Sequence, residues 1–182
     1  MGNFKQISQR VAYCGIICAL SVMIMTGSFM YGFSYALPAI SGILIWTISF
    51  FINYKWALLS FVASSFLILM MPADFEAKTV FIAFFGYYPV LRDKMVFIKP
   101  FILRFLLKLA VFNTACIASF QVLKIIIGLD KILEGLDFAG DYAVIGLWGA
   151  ANFAFLCYEF CLTQVHFVIQ NWIKPRFFKR IK

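Results

Sequence analysis

Six apolar runs, separated by short polar or proline- and glycine-containing breaks, make up most of the sequence. Several reach the roughly 20 residues that a helix needs to cross a bilayer. A chain inside lipid must satisfy its backbone hydrogen bonds internally, which favours helices. The pattern therefore predicts an all-α integral membrane protein, a compact bundle of six transmembrane helices. The predicted helices cover residues 11–30, 35–53, 56–71, 79–91, 101–128 and 142–173.

The fourth run is short, because about 13 residues of helix extend only about 20 Å. The charge distribution still predicts that it crosses the membrane. If it does, the basic loop at 92–99 and the basic tail at 174–182 lie on one side, and the acidic loops at 73–78 and 129–141 lie on the other. Lysine and arginine accumulate on the cytoplasmic side of membrane proteins. We therefore expect a single multi-pass domain, 1–182, in the cell membrane, with both termini and the tail in the cytoplasm.

Composition agrees with this interpretation: 64% of the residues are hydrophobic and only 13% are charged. The net charge of +8 lies at helix ends, so it indicates membrane orientation and not nucleic-acid binding.

The chain lacks HExxH, GxSxG and phosphate-binding glycine motifs, so we expect no enzyme and no cofactor. The five cysteines lie in apolar runs, where thiols act as small hydrophobes. With a single histidine beside them, no metal site is expected.

The sixth predicted helix carries a stripe of mostly polar residues at steps of three or four. A carboxylate at bilayer depth is costly and usually faces a protein interior or a wet cavity. By depth, Trp148 and Asn152 fall in the outer half and Glu159 falls near the middle. The stripe comprises Trp148, Asn152, Phe155, Glu159, Thr163, His166 and Gln170, and the small residues opposite are Gly146, Ala150, Ala154, Cys157 and Cys161.

Aromatic residues cluster where the first and second predicted helices meet the outer side. They act there either as interfacial anchors or as the lining of a concave binding site. Polar groups on the fifth and sixth helices either bond to one another within a packed bundle or contact a ligand, and Arg104 and Lys108 either snorkel to the inner headgroups or contact a partner. The candidate substrate site comprises Tyr31, Phe33, Tyr35, Tyr87, Gln121, Lys124, Trp148, Asn152 and Glu159.

Three stretches carry a resemblance to a known family: CGIICAL at 14–20, YALP at 35–38 and FFGYYP at 84–89. With six short helices and about 180 residues, the chain resembles the substrate-binding S components of energy-coupling-factor (ECF) vitamin transporters. The resemblance implies a substrate cavity in the outer half, formed by helices four to six and capped by the first outer loop. No vitamin-specific motif matches. The resemblance therefore implies a substrate among vitamins and related micronutrients but does not identify which one.

The same resemblance implies that the small-residue face of the first helix docks on a transmembrane coupling subunit, which works with two cytoplasmic ATPases. Here that face carries Ala12, Gly15 and Ala19, and Gly15 stands where the family's usual Ala-x-x-x-Ala pattern has alanine. The leading hypothesis is thus a membrane-embedded subunit that binds a small molecule and has no energy source of its own.

Two alternatives stay open. One is a non-transporting scaffold, similar in outline to the rod-shape membrane protein MreD, whose basic tail binds a partner or anionic lipid. The other is a small proton-coupled carrier that uses Glu159 and His166.

Overall fold

The computed structural model describes residues 6–29, 33–96, 100–127 and 143–173. Tyr31, the whole acidic stretch 129–141 and the tail 174–182 lie outside these residues. The chain divides into two compact units, Met1–Leu129 and Asp130–Lys182. The first unit contains the first five predicted helices and the second contains the sixth.

The described part of the chain is helical, with short turns and no β-strand, which confirms the all-α prediction for these residues. A 3₁₀ turn, Gly27–Phe29, follows the first helix, and π-helical turns occupy Phe81–Phe85 and Ile169–Ile173. The α-helices are α1 (Ile7–Thr26), α2 (Ala36–Phe51), α3 (Tyr54–Met70), α4 (Phe75–Val80), α5 (Tyr88–Met95), α6 (Phe101–Ile127) and α7 (Ala143–Val168).

Three helical stretches among the described residues are long and apolar enough to cross a membrane. They are Ile7–Thr26, Phe101–Ile126 and Gly146–Trp172. The apolar helices α2 and α3 are shorter, with 16 and 17 residues. At 1.5 Å per residue they extend about 24–26 Å.

In the first unit, α1, α2 and α3 pack against one another, and α2 also contacts α4, α5 and the π turn Phe81–Phe85. Small polar side chains form the seams between the first three helices. Ser21 on α1 donates to the carbonyl of Ser41 on α2 at 3.4 Å, and Ser41 donates to the carbonyl of Ser21 at 3.2 Å. Small residues let helix backbones approach closely, which is how helices associate when lipid replaces water.

The fourth helical segment, defined here as residues 75–95, differs from the prediction of one helix at 79–91. It consists of α4, the π turn and α5, with a bend at Gly86 and Tyr87. The sequence prediction was wrong in assigning 75–78 and 92–95 to loops. The physical cause of the bend is Pro89, which has no N–H to donate to the Phe85 carbonyl. Within the π turn, the backbone N–H of Gly86 donates to the Phe81 carbonyl, five residues earlier, at 2.8 Å.

Two glycines allow the bent segment to lie close to its neighbours. A Cβ atom added to Gly42 of α2 would lie 1.9 Å from the carbonyl oxygen of Phe85. A Cβ atom on Gly86 would lie 2.4 Å from the ring of Phe61 on α3. Real Cβ atoms do not approach that closely, so α2 meets the π turn backbone to backbone. Glycine at position 42 is required by this contact.

The helix α6 packs on α4 and on the π turn. The ring of Phe112 on α6 lies edge-on to Phe84, with centroids 5.2 Å apart, and Phe84 stacks on Tyr88 at 4.4 Å. These ring contacts set the axial position of α6 relative to the fourth helical segment. In the second unit, α7 continues directly into the π turn Ile169–Ile173.

We expect Gly42→Ala to destabilise the protein, because its methyl group needs the space that the Phe85 carbonyl occupies. Overpacking of this kind costs about 1–3 kcal/mol. Thermal unfolding in detergent measures the change. Gly15→Ala is the matched control, since a Cβ atom at Gly15 has no neighbour within 4 Å and alanine favours the helix. Equal melting temperatures for Gly42→Ala and the wild type would contradict the close approach.

Candidate functional site

Hydrogen bonds define two ends of the first unit. One, the Glu76 end, joins the end of α1 and the start of α2 to the start of α4. The other, the Asp93 end, joins the end of α2 to the end of α5. Both ends tether the fourth helical segment, whose bend lies between them. The two ends differ in the sign of the charge that predominates among their side chains.

At the Glu76 end, the Tyr35 hydroxyl donates to the Glu76 carboxylate on the first turn of α4. The backbone N–H of Asp74 donates to the hydroxyl of Ser28 at 3.0 Å, and Ser28 is buried. The residue before α2 and the turn after α1 are therefore both held to the start of the fourth segment. These contacts place two carboxylates and a phenol within one small region.

Tyr35 is 56% exposed as a whole, yet its hydroxyl lies at the Glu76 carboxylate. Partial burial of the phenol, the hydrogen bond to Glu76 and the negative charges of Glu76 and Asp74 together raise the pKa of Tyr35 above its ordinary value. The phenol therefore stays protonated and keeps its role as the donor at neutral and mildly alkaline pH.

At the Asp93 end, the indole N–H of Trp46 donates to Oδ2 of Asp93 at 2.7 Å. The Ser49 hydroxyl lies 3.5 Å from the same oxygen and donates to the Trp46 carbonyl at 2.9 Å. Trp46 is fully buried, with 0% exposure. A buried indole requires an acceptor, and the Asp93 carboxylate provides it across two helices.

The Asp93 end also collects positive charge. Arg92 on α5 is only 8% exposed, and the ammonium group of Lys94 lies 3.7 Å from the centre of the Tyr54 ring on α3. The sequence interpretation placed both cations in a loop. They lie instead on the last turns of α5, where cations also interact favourably with the helix dipole.

The predicted substrate-site residues of the first unit lie at different positions along the helix axes. Phe33 and Tyr35 are exposed near the Glu76 end, and Gln121 and Lys124 are exposed on the last turns of α6. Tyr87 lies in the bend, with its ring centroid 5.7 Å from that of Phe61. It is 11 residues after Glu76, about 16 Å along a helix. Tyr87 therefore packs in the middle of the segment, away from the Tyr35–Glu76 contact.

In the second unit, the predicted stripe of α7 contains side chains of different exposure. Phe155 is buried, Asn152, Glu159 and His166 are half-buried, and Trp148 is 42% exposed. Asn152 donates to the Trp148 carbonyl at 2.9 Å, so part of its hydrogen-bonding capacity is used within its own helix. Gln170 lies in the π turn, where the 3.6-residue spacing assumed for the stripe no longer holds.

The predicted docking residues share one exposed face of α1. Ala12, Gly15 and Ala19 fall within a sector of about 60°, and all three are exposed. A Cβ atom on Gly15 would meet open space. Other residues of α1 contact α2 and α3, and the buried ones are Cys14, Ile17, Cys18, Ser21, Val22 and Met25.

Sequence reasoning missed Glu76, Asp74, Trp46 and Asp93. Glu76 and Asp74 were counted as loop charges, although an acid just before or in the first turn of a helix is a known start signal. Asp93 stands as one acid among basic residues at 92–94, which was a usable signal for a specific partner. Nothing local identified Trp46 as that partner, because the two residues are 47 positions apart.

Comparison with models of protein families, with curated proteins and with solved structures finds no match for this chain.

We expect Tyr35→Phe and Glu76→Gln to be coupled in a double-mutant cycle. The coupling should be about 1 kcal/mol, because the hydrogen bond is charge-assisted but partly exposed. Denaturant unfolding in detergent measures it. Tyr54→Phe is the matched control, since the ring facing Lys94 is retained. Additive single effects would contradict a stabilising contact.

The pH dependence of the same pair has a definite sign. Folding raises the pKa of Tyr35. The contribution of the Tyr35 hydroxyl to the free energy of unfolding is therefore fully present below the ordinary tyrosine pKa of about 10, and it is lost as the pH rises further. The stability difference between wild type and Tyr35→Phe should therefore be constant from about pH 6 to about pH 9 and shrink above about pH 10.

Proposed function

We propose that this protein is the membrane-embedded substrate-binding subunit of an ECF-type importer, which captures a vitamin or related micronutrient and depends on partner proteins for energy. The observation that carries the proposal is the exposed small-residue face of α1. Ala12, Gly15 and Ala19 form an open strip while the other side of α1 is packed. Such a strip allows close approach by another membrane helix.

The proposed orientation has six crossings, with the Asp93 end and both termini in the cytoplasm. Its support is the charge of the helix ends. The described residues near the Asp93 end include Arg10, Lys55, Arg92, Lys94 and Arg104, whereas Asp74, Glu76 and Lys78 lie at the other end. Lysine and arginine favour the cytoplasmic side. The bent fourth segment would then cross with 21 positions, 75–95, and not with about 13.

The proposed substrate-binding residues of the first unit lie toward the Glu76 end, and they are Phe33, Tyr35 and, on α6, Gln121 and Lys124. In the second unit, described by itself, the proposed substrate-binding residues are Trp148, Asn152 and Glu159 of α7. We add Glu76, because its hydrogen bond orients Tyr35. Tyr87 is the weakest member, since its ring packs on Phe61. Aromatic faces with a few polar groups suit a small, partly polar ligand.

We expect affinity purification from native membranes to recover a transmembrane coupling subunit and ATPases with the wild-type protein. Gly15→Leu and Ala19→Leu should each reduce that recovery at least about tenfold, because a leucine on the strip prevents close helix approach. Ala63→Leu is the matched control, an exposed alanine on α3. Recovery of no coupling subunit or ATPase with wild type would contradict the proposal.

The runner-up is the non-transporting scaffold. A single assay separates it from the leading proposal. Screening vitamins against the purified protein should reveal one that raises its melting temperature, and at a ligand concentration of about 100 Kd the stabilisation should be about 2.7 kcal/mol. Gln121→Ala and Trp148→Ala should lower this response, whereas Ala63→Leu should not. A scaffold predicts no ligand response.

The proton-coupled carrier would depend on Glu159 and His166, which are half-buried on α7.

A further inference from the structure

Ser64, in the middle of α3, has a buried hydroxyl that makes no hydrogen bond with any residue that the structure describes. The residue is 0% exposed. A serine inside a helix often donates to the carbonyl four residues earlier, but here the Ser60 carbonyl accepts the thiol of Cys18 at 3.5 Å. A buried hydroxyl without a partner costs free energy, and native structures rarely contain one. Ser64 therefore needs a partner.

The contact between Cys18 and the Ser60 carbonyl sets the register of α1 against α3. Both helices begin toward the Asp93 end and finish toward the Glu76 end. Ser21 lies three residues after Cys18 and Ser64 lies four residues after Ser60, which are rises of about 4.5 and 6 Å. Ser64 is therefore at about the level of Ser21. The buried stripe of α3, which faces α1 and α2, comprises Ala57, Ser60, Ser64 and Ile68.

The short connection between α2 and α3 gives the same level independently. These helices are antiparallel neighbours joined by Ile52 and Asn53. Ser41 lies 11 residues before Ile52, and Ser64 lies 11 residues after Asn53. Two helical arms of equal length end at the same height, so Ser64 is level with Ser41, which is hydrogen-bonded to Ser21. Three serines, one from each helix, thus lie at one level of the core.

The surroundings of Ser64 at this level are polar but uncharged. Ser21 and Ser41 are both 0% exposed, and each hydroxyl donates to the carbonyl of the other. The two hydroxyl oxygens and the second lone pairs of the two carbonyls can still accept. The buried residues of α1, α2 and α3 include no charged side chain. A buried cation would have no counter-charge there, whereas a neutral molecule that both donates and accepts would suit these groups.

We propose that Ser21, Ser41 and Ser64 bind one water molecule where α1, α2 and α3 meet. The Ser64 hydroxyl would donate to the water oxygen, and the water would donate to oxygens of Ser21 and Ser41. Three hydrogen bonds are typical of a buried water, and such a bridge is nearly as favourable as a direct bond. The water would join α3 to the seam that direct bonds form between α1 and α2. This site is independent of the proposed substrate site.

The test uses the full-length protein, labelled with ¹³C and ¹⁵N, in phosphatidylcholine bilayers. Solid-state NMR measures the transfer of magnetisation from water to individual residues. Ile45 and Ile68 serve as internal references, because both are 0% exposed and carry no polar side-chain atom. The variants are Ser64→Ala and, as the matched control, Ser119→Ala, which removes the hydroxyl of a half-buried serine on α6. Circular dichroism checks that each variant is helical, and thermal unfolding is measured in sodium chloride and in choline chloride.

We expect more transfer to Ser21 and Ser41 than to Ile45 in the wild type and in Ser119→Ala. In Ser64→Ala the transfer to both serines should fall to the level of Ile45. Its melting temperature should fall by about 2–4 °C, the shift expected when a protein of this size loses the contribution of one hydrogen bond.

Two results would overturn the proposal in favour of a dry hydroxyl. One is transfer to Ser21 and Ser41 in the wild type that does not exceed transfer to Ile45. The other is a higher melting temperature for Ser64→Ala, because removal of an unpaired buried hydroxyl stabilises a protein. A third result would overturn it in favour of a bound cation: a melting temperature that is higher in sodium chloride than in choline chloride for the wild type but equal in both for Ser64→Ala.

Discussion

The contact between Gly42 and the Phe85 carbonyl is the constraint on which the first unit depends. Pro89 has no N–H to bond to that carbonyl, and the chain bends at Gly86 and Tyr87, directly after the π turn Phe81–Phe85. The bend is accommodated only because α2 presents a glycine at the point of contact. A side chain there would separate α2 from the fourth segment and, through the Phe84–Phe112 contact, would displace α6 as well.

The two ends of the fourth segment are held by bonds of different character. Tyr35 and Glu76 form a partly exposed hydrogen bond near a loop, whereas Trp46 and Asp93 form one from a fully buried indole. Exposed bonds contribute less and open more readily than buried ones.

The proposal about α1 depends on an exposed face of small side chains, Ala12, Gly15 and Ala19. Small side chains leave room for the backbone of another helix. This inference does not depend on the identity of the substrate.

The sequence by itself determined the helical character of the chain and the approximate bounds of most helices, because apolar runs of that length in lipid must satisfy their backbone groups internally. It also indicated the common face of Ala12, Gly15 and Ala19, which follows from helical spacing alone. Only the tertiary structure decided the close approach of Gly42 to the Phe85 carbonyl and the pairing of Tyr35 with Glu76 and of Trp46 with Asp93. These depend on residues more than 40 positions apart, and no local pattern encodes which helices meet or at what level.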